Sequence, residues 1–143
     1  MESLRSKALV HLILACQLCQ WQAQAGALCS LENPPRALFW AQDVVKSMVA
    51  ELGMVFCDFD SCRYGHRDPG NGFLYKKPQR LASTGDLSLL ARKCNCTGTS
   101  HHQRVEGRVE SGSRRGERRS TVSGEYPEEM CRELANCIGT LIA

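Results

Sequence analysis

The sequence predicts an α/β fold, on three observations. Helical and extended patterns alternate over residues 1–60, the chain turns loop-rich beyond Cys62, and a proline-led amphipathic helix closes it. Helix, strand, helix and strand in so short a span argue for a layer joined by right-handed crossovers.

The first helix is expected from about Leu4 to Gln24, because Leu9, Leu12, Ile13, Cys16 and Leu18 recur at helical spacing. Gly26 follows as its stop. "ALCSL" (Ala27 to Leu31) has the short apolar form of a buried parallel strand, ended by Pro34 and Pro35. A second helix is expected from about Arg36 to Leu52, with Leu38, Val44, Val45, Met48, Val49 and Leu52 as its core face and Gly53 behind it. "MVFCDF" (Met54 to Phe59) is the next strand.

Beyond Cys62, "RYGHRDPGNGFLYKKP" is dense in glycine, proline and charge and is expected to be a long loop. Asp86 is placed to cap a short helix through Lys93. Glu110 to Ser120 has almost no apolar residue and is expected to be flexible. Pro127, with Glu128 and Glu129 behind it, opens a terminal helix whose buried stripe is Met130, Leu134, Ile138 and Leu141. The expected organisation is an α/β core over 1–60, a loop-rich basic Cys/His region over 61–109, a flexible Arg-rich linker over 110–125 and a terminal helix over 126–143.

At 143 residues the chain suits one domain with a modest core, and its net charge of +3 fixes no partner by itself. Charge matters locally. Arg63, Arg67, Lys76, Lys77 and Arg80 surround the loop after the second strand, and Arg114, Arg115, Arg118 and Arg119 cluster later. Together they could contact a nucleic-acid backbone, with Tyr64, Phe73 and Tyr75 stacking on bases; the plainer alternative is a solvated charged loop.

Nine cysteines is a high and odd number, lacking the even framework of a secreted disulfide scaffold, so an intracellular location (nucleus or cytoplasm) is expected. The alternative is a small secreted Cys-rich protein. "ALVHLILAC" followed by "AQA" (Ala23 to Ala25) fits a cleaved signal peptide, and "NCT" (Asn95 to Thr97) would then be a glycosylation acceptor. Against it, His11 interrupts the apolar run. No run is long enough for a membrane partner to be expected. Cys62, Cys94, Cys96 and His101 or His102 offer thiolate and imidazole groups suited to zinc, although Cys-x-Cys lacks the usual two-residue gap; unassociated loop residues are the alternative.

A further pattern lies in the order of short motifs: "LENP" after an apolar strand, "DFDSCRYG", "KKPQRL", a "KC…HH" segment and "YPEEMCRELA". From about Leu9 to Ala135 this succession resembles the carboxyl-terminal half of a cytosine-5 DNA methyltransferase-like domain of the phage and mobile-element type. The resemblance implies a partial (truncated) Rossmann-like layer and DNA as partner. It also implies that Glu32 contacts a flipped cytosine, where a desolvated carboxyl group can donate a proton to the base edge. The family's Gly-rich S-adenosylmethionine loop and Pro-Cys nucleophile find no match in this chain; they would belong to an amino-terminal half supplied upstream. Cys29, inside the expected strand, reads as packing rather than nucleophile. Gln79, where the family pattern suggests threonine, and "GNGFLY" (Gly70 to Tyr75) depart from the pattern. The expectation is therefore a methyltransferase-like fragment without autonomous catalysis, or a nucleic-acid-binding module that kept the scaffold alone.

Overall fold

A computed structural model describes residues 2–97 and 102–142. In chain order they form α1 (Glu2–Gln24), β1 (Ser30–Asn33), a 3-10 turn (Leu38–Ala41), α2 (Asp43–Glu51), β2 (Val55–Asp60) and a second 3-10 turn (Ser61–Tyr64). Then come β3 (Leu74–Tyr75), β4 (Pro78–Ser83), a third 3-10 turn (Ser88–Leu90), β5 (His102–Gln103), α3 (Arg119–Val122) and α4 (Glu128–Ile142). The fold is mixed α and β, and it divides into two compact units. Unit 1 is Met1–Cys57 with Arg80–Asp86; unit 2 is Asp58–Gln79 with Leu87–Ala143.

Both glycine stops in unit 1 act as expected. Gly26 has φ 72°, Gly26 N–H donates to Ala23 and Ala27 N–H to Gln22, the paired bonds of a Schellman close to α1. Gly53, at φ 58°, repeats the pattern after α2, with Met54 N–H reaching the Val49 carbonyl at 3.0 Å. The core between these elements takes Cys16 and Cys19 from α1, Cys29 before β1, Val45 and Met48 from α2, Met54, and Ala82 from β4. Three of those seven side chains are cysteines, behaving as small hydrophobes.

The sheet differs from the expected parallel layer. Its order is β1-β4-β2, and β1 runs antiparallel to β4, with Ser30 opposite Ser83 and Asn33 opposite Arg80. The late strand β4 thus occupies the place between β1 and β2 that a simple crossover would leave empty. Strand β1 also begins later than "ALCSL" suggests, since Ala27–Cys29 lie before it, although Cys29 and Thr84 extend the ladder through a 3.1 Å backbone bond. The second helix is shorter than its apolar pattern. Gln42 is extended (ψ 134°) and separates the 3-10 turn from α2, while Trp40 Nε1–H donates to the Pro34 carbonyl at 2.9 Å. Leu38, expected in the core, is consequently exposed.

Unit 2 packs Phe59, Tyr64, Leu90 and Met130 in its interior. Phe59 and Tyr64 meet edge to face, the Tyr64 hydroxyl donates to the Leu90 carbonyl at 2.7 Å, and Arg92 lies over the Tyr64 ring while pairing with Glu129 and Glu133 of α4. Asp86 heads no helix; only the 3-10 turn Ser88–Leu90 forms, because Leu87 and Leu90 both turn inward. The buried stripe of α4 runs through Met130 and Cys137, and Leu141 is exposed.

The segment 110–125 belongs to unit 2 and hydrogen-bonds with it. Arg119 Nε donates to Asp68 Oδ2 at 2.7 Å, with side-chain exposures of 7% and 0%. Asp68 also accepts the Tyr75 hydroxyl at 2.6 Å and the N–H groups of Gly70 and Asn71. Those bonds overcome the upward push of burial and hold the Asp68 carboxyl below its ordinary range. His66, edge to face with Tyr75, is driven below its ordinary 6.5 by burial and by Lys77, against an opposing effect of Glu125. Its Nδ1 is buried with no hydrogen-bond partner among the described residues.

A depressed folded-state pKa means that the unfolded chain binds more protons on acidification. The His66 contribution to stability is thus complete above about pH 6.5 and shrinks below it; that of Asp68 shrinks later, below the usual carboxylate value near 4. Urea midpoints measured from pH 8 to pH 3 should fall in two stages. His66→Phe should flatten the first stage only; an unchanged slope between pH 6.5 and 5 would assign it to other groups.

Candidate metal centre

Four side chains of unit 2 converge: the thiols of Cys62, Cys94 and Cys96 and the imidazole of His102, with ligating atoms all within 4.8 Å of one another. Each arrives by a different local device. Strand β2 ends in the 3-10 turn Ser61–Tyr64, which buries Cys62 and is closed by Gly65 at φ 69°. Asp60 N–H donates to the Arg92 carbonyl at 2.9 Å, and its Oδ2 accepts Cys94 N–H at 2.8 Å, so the 92–94 backbone is clamped beside the end of β2. Arg63 adds a bond to the Lys93 carbonyl at 3.3 Å. In an extended chain side chains two apart share a face, which is how Cys-x-Cys presents two sulfurs to one point. His102 is delivered by β5, parallel to β3 with Leu74 opposite it.

Cys94 Sγ lies 3.6 Å from His102 Nε2. Zinc at about 2.3 Å from sulfur and about 2.0 Å from nitrogen sets tetrahedral ligand atoms roughly 3.5–3.8 Å apart, so this separation fits one shared ion. Soft thiolates with one imidazole form the Cys₃His donor set that closes a structural site. Protonation is unequal across the cluster. Burial pushes the Cys62 thiol up to about 12, helped by the hydrogen bond and charge of Cys94. At Cys94 burial also pushes upward, yet hydrogen bonds from the Cys96 backbone and from the Cys62 and Cys96 side chains, with Lys76 nearby, bring it below the ordinary thiol value.

His101 falls outside the described residues, and its neighbour His102 is the imidazole at the cluster. Glu32 sits in β1 opposite Leu81, half-buried, with Asn33 still in the strand rather than beyond its end. Cys29 is a core residue of unit 1. Gln79 is almost fully buried and accepts from the Ser61 hydroxyl at 3.0 Å, so it fastens β4 to the 3-10 turn that carries Cys62.

The basic residues differ in what they touch. Arg67 donates to the Gly72 carbonyl at 2.9 Å and Lys77 to the Ser123 carbonyl at 2.8 Å, tying loops together. Lys76 is exposed, and Arg80, in unit 1, stacks over Phe56 at 4.7 Å. Arg114 pairs with Glu117 and Glu125, while Arg119 is the buried partner of Asp68. Tyr64 and Tyr75 are core residues; Phe73 is half-exposed. The Asp68–Arg119 pair had no sequence signal beyond an arginine-rich run. Its two members stand 51 positions apart.

Fold and site define a mixed α/β protein of two units, one of which carries a Cys₃His cluster able to hold a metal ion. No family model matches the chain, and no curated protein or solved structure matches it either.

The unequal thiols give a chemical test. In metal-free protein at pH 7, iodoacetamide should label half-exposed Cys94 at least ~10 times faster than buried Cys62, as read by peptide mass spectrometry. Equal labelling rates would contradict the difference between their environments.

Proposed function

We propose that unit 2 is fastened by one zinc ion held by Cys62, Cys94, Cys96 and His102, and that the chain is a nucleic-acid-binding module without methyl transfer of its own. The carrying observation is the convergence of three thiols and one imidazole within 4.8 Å. A loop-rich unit gains most from such a clip, because metal binding free energy becomes folding free energy. Zinc would fix the 92–97 segment against the end of β2, with Asp60 supporting Cys94 through its backbone.

The binding reading rests on the exposed cations Lys76, Arg104, Arg115 and Arg118 of the same unit and on the motif order that resembles a DNA methyltransferase-like domain. In that reading Glu32 is the residue corresponding to the base-contacting acid. The Rossmann-like layer, the S-adenosylmethionine site and the Pro-Cys nucleophile would require a separate amino-terminal half. Cys16 and Cys19 pack in the core of unit 1. No helix among the described residues is long and apolar enough to cross a membrane.

Elemental analysis of the purified chain should give one zinc per protein. Cobalt substitution should add thiolate charge-transfer bands, lost in Cys94→Ser and weakened in His102→Ala. A chain that neither copurifies with zinc nor yields those bands overturns the metal reading.

Fluorescence anisotropy with a DNA duplex should show weak binding. Its logarithm should fall linearly with log salt, at a slope of about −0.9 per phosphate contact. Binding should need the zinc-loaded form and be indifferent to S-adenosylmethionine. Absence of salt-dependent binding, or methyl transfer by this chain alone, would each overturn the second half of the proposal.

A further inference from the structure

A cleft of about 480 Å³ opens within unit 1 along α2. That size falls among small-molecule sites, which span roughly 300–1,000 Å³. Val45 and Val49, one helical turn apart, line it together with Ala50. Gly53, at φ 58°, ends α2 and lets the chain turn back, so that Met54 and Phe56 reach the same cleft. Trp40 completes the lining. Its indole is fixed by the bond to the Pro34 carbonyl and stands edge to face with Phe39 at 4.8 Å and with Phe56 at 5.4 Å. Walls anchored in this way need little ordering when a ligand enters.

The charges at the cleft narrow what it takes. Lys46 and Arg80 line it, both cations, and no carboxylate among the described residues joins them. The Arg80 guanidinium lies 4.7 Å from the Phe56 ring centroid, so a positive charge stands directly beside the apolar lining. Its N–H donors form the planar fork that matches a carboxylate. Lys46 pairs with Asp43 at 3.1 Å, with side chains 59% and 97% exposed. A pair so open to water holds its partners weakly, which leaves the ammonium able to turn to a ligand. A cationic ligand meets two like charges here. A purely apolar one takes water from the cations without replacing it, and a purely polar anion leaves the aromatic and aliphatic walls unmatched.

We propose that unit 1 binds a small amphipathic carboxylate, an acyl chain or an arene with one anionic head. The apolar body lies against Trp40, Phe56, Val45 and Val49, and the carboxylate meets Arg80 and Lys46. The site is independent of the zinc and nucleic-acid readings, because every residue lining it belongs to unit 1.

The chain has two tryptophans, and Trp21→Phe leaves Trp40 as the only reporter, inside the cleft. Titrating that full-length variant with decanoate and with 4-phenylbutanoate separates the chain from the arene; at least one acid should shift the Trp40 emission saturably. The corresponding alcohol should bind at least ~10-fold more weakly, since it forms no charge-assisted hydrogen bond. Arg80→Gln should weaken the acid by a similar ~10-fold. Ala50→Phe, at an exposed helical position on the cleft, should fill the space and abolish binding while leaving the unfolding midpoint unchanged. The proposal is overturned if neither acid binds or if the alcohol binds as tightly as its acid. Affinity unchanged by Arg80→Gln or by Ala50→Phe overturns it equally, because the ligand would then lie elsewhere.

Discussion

The Asp68 carboxylate is the constraint on which unit 2 depends. One oxygen accepts two backbone N–H groups at the turn it heads, and the other accepts the Tyr75 hydroxyl and the Arg119 guanidinium. A buried charge of this kind is tolerable only when its lone pairs are filled, and here four donors fill them. Remove one and the rest hold a carboxylate in a medium that cannot solvate it. The network therefore does for the 66–76 loop and α3 what a hydrophobic core does elsewhere: it makes one arrangement much better than its neighbours.

Tyr75 joins that network to the Cys/His cluster. It belongs to β3, and β3 pairs with β5, where His102 sits. Asp60 performs a similar service from the other side by holding Cys94 at the end of β2. The four side chains able to hold a metal thus come from three chain segments, each tied to a strand end by hydrogen bonds. A site positioned in this way loses less entropy on binding an ion than four ligands on free loops would.

Unit 1 is built on different terms. Its interior is apolar and rich in small sulfur-bearing side chains, closed by two Schellman turns. The two units therefore exemplify two ways for a short chain to specify a fold: saturated polar contacts in one, close packing of small apolar side chains in the other.

Much of this was written in the local sequence. Gly26 and Gly53 mark helix ends because only glycine enters positive φ cheaply, and period-3.6 patterns located α1, α2 and α4. The residue types at Cys62, Cys94 and Cys96 pointed to a donor set that could hold a metal, and His102 joins them from β5. What local pattern cannot carry is long-range partnership. The antiparallel β4 lies between β1 and β2 because distant strands paired, and nothing within "PQRLAS" states its neighbours. Arg119 looked like one more solvated arginine, and only a carboxylate 51 residues away makes it a core residue. Sequence by itself determined where the chain turns and which side chains could bind metal, since both are properties of one residue and its near neighbours. Tertiary structure alone decided which charges are buried and which strands adjoin, since burial and pairing are properties of two segments at once.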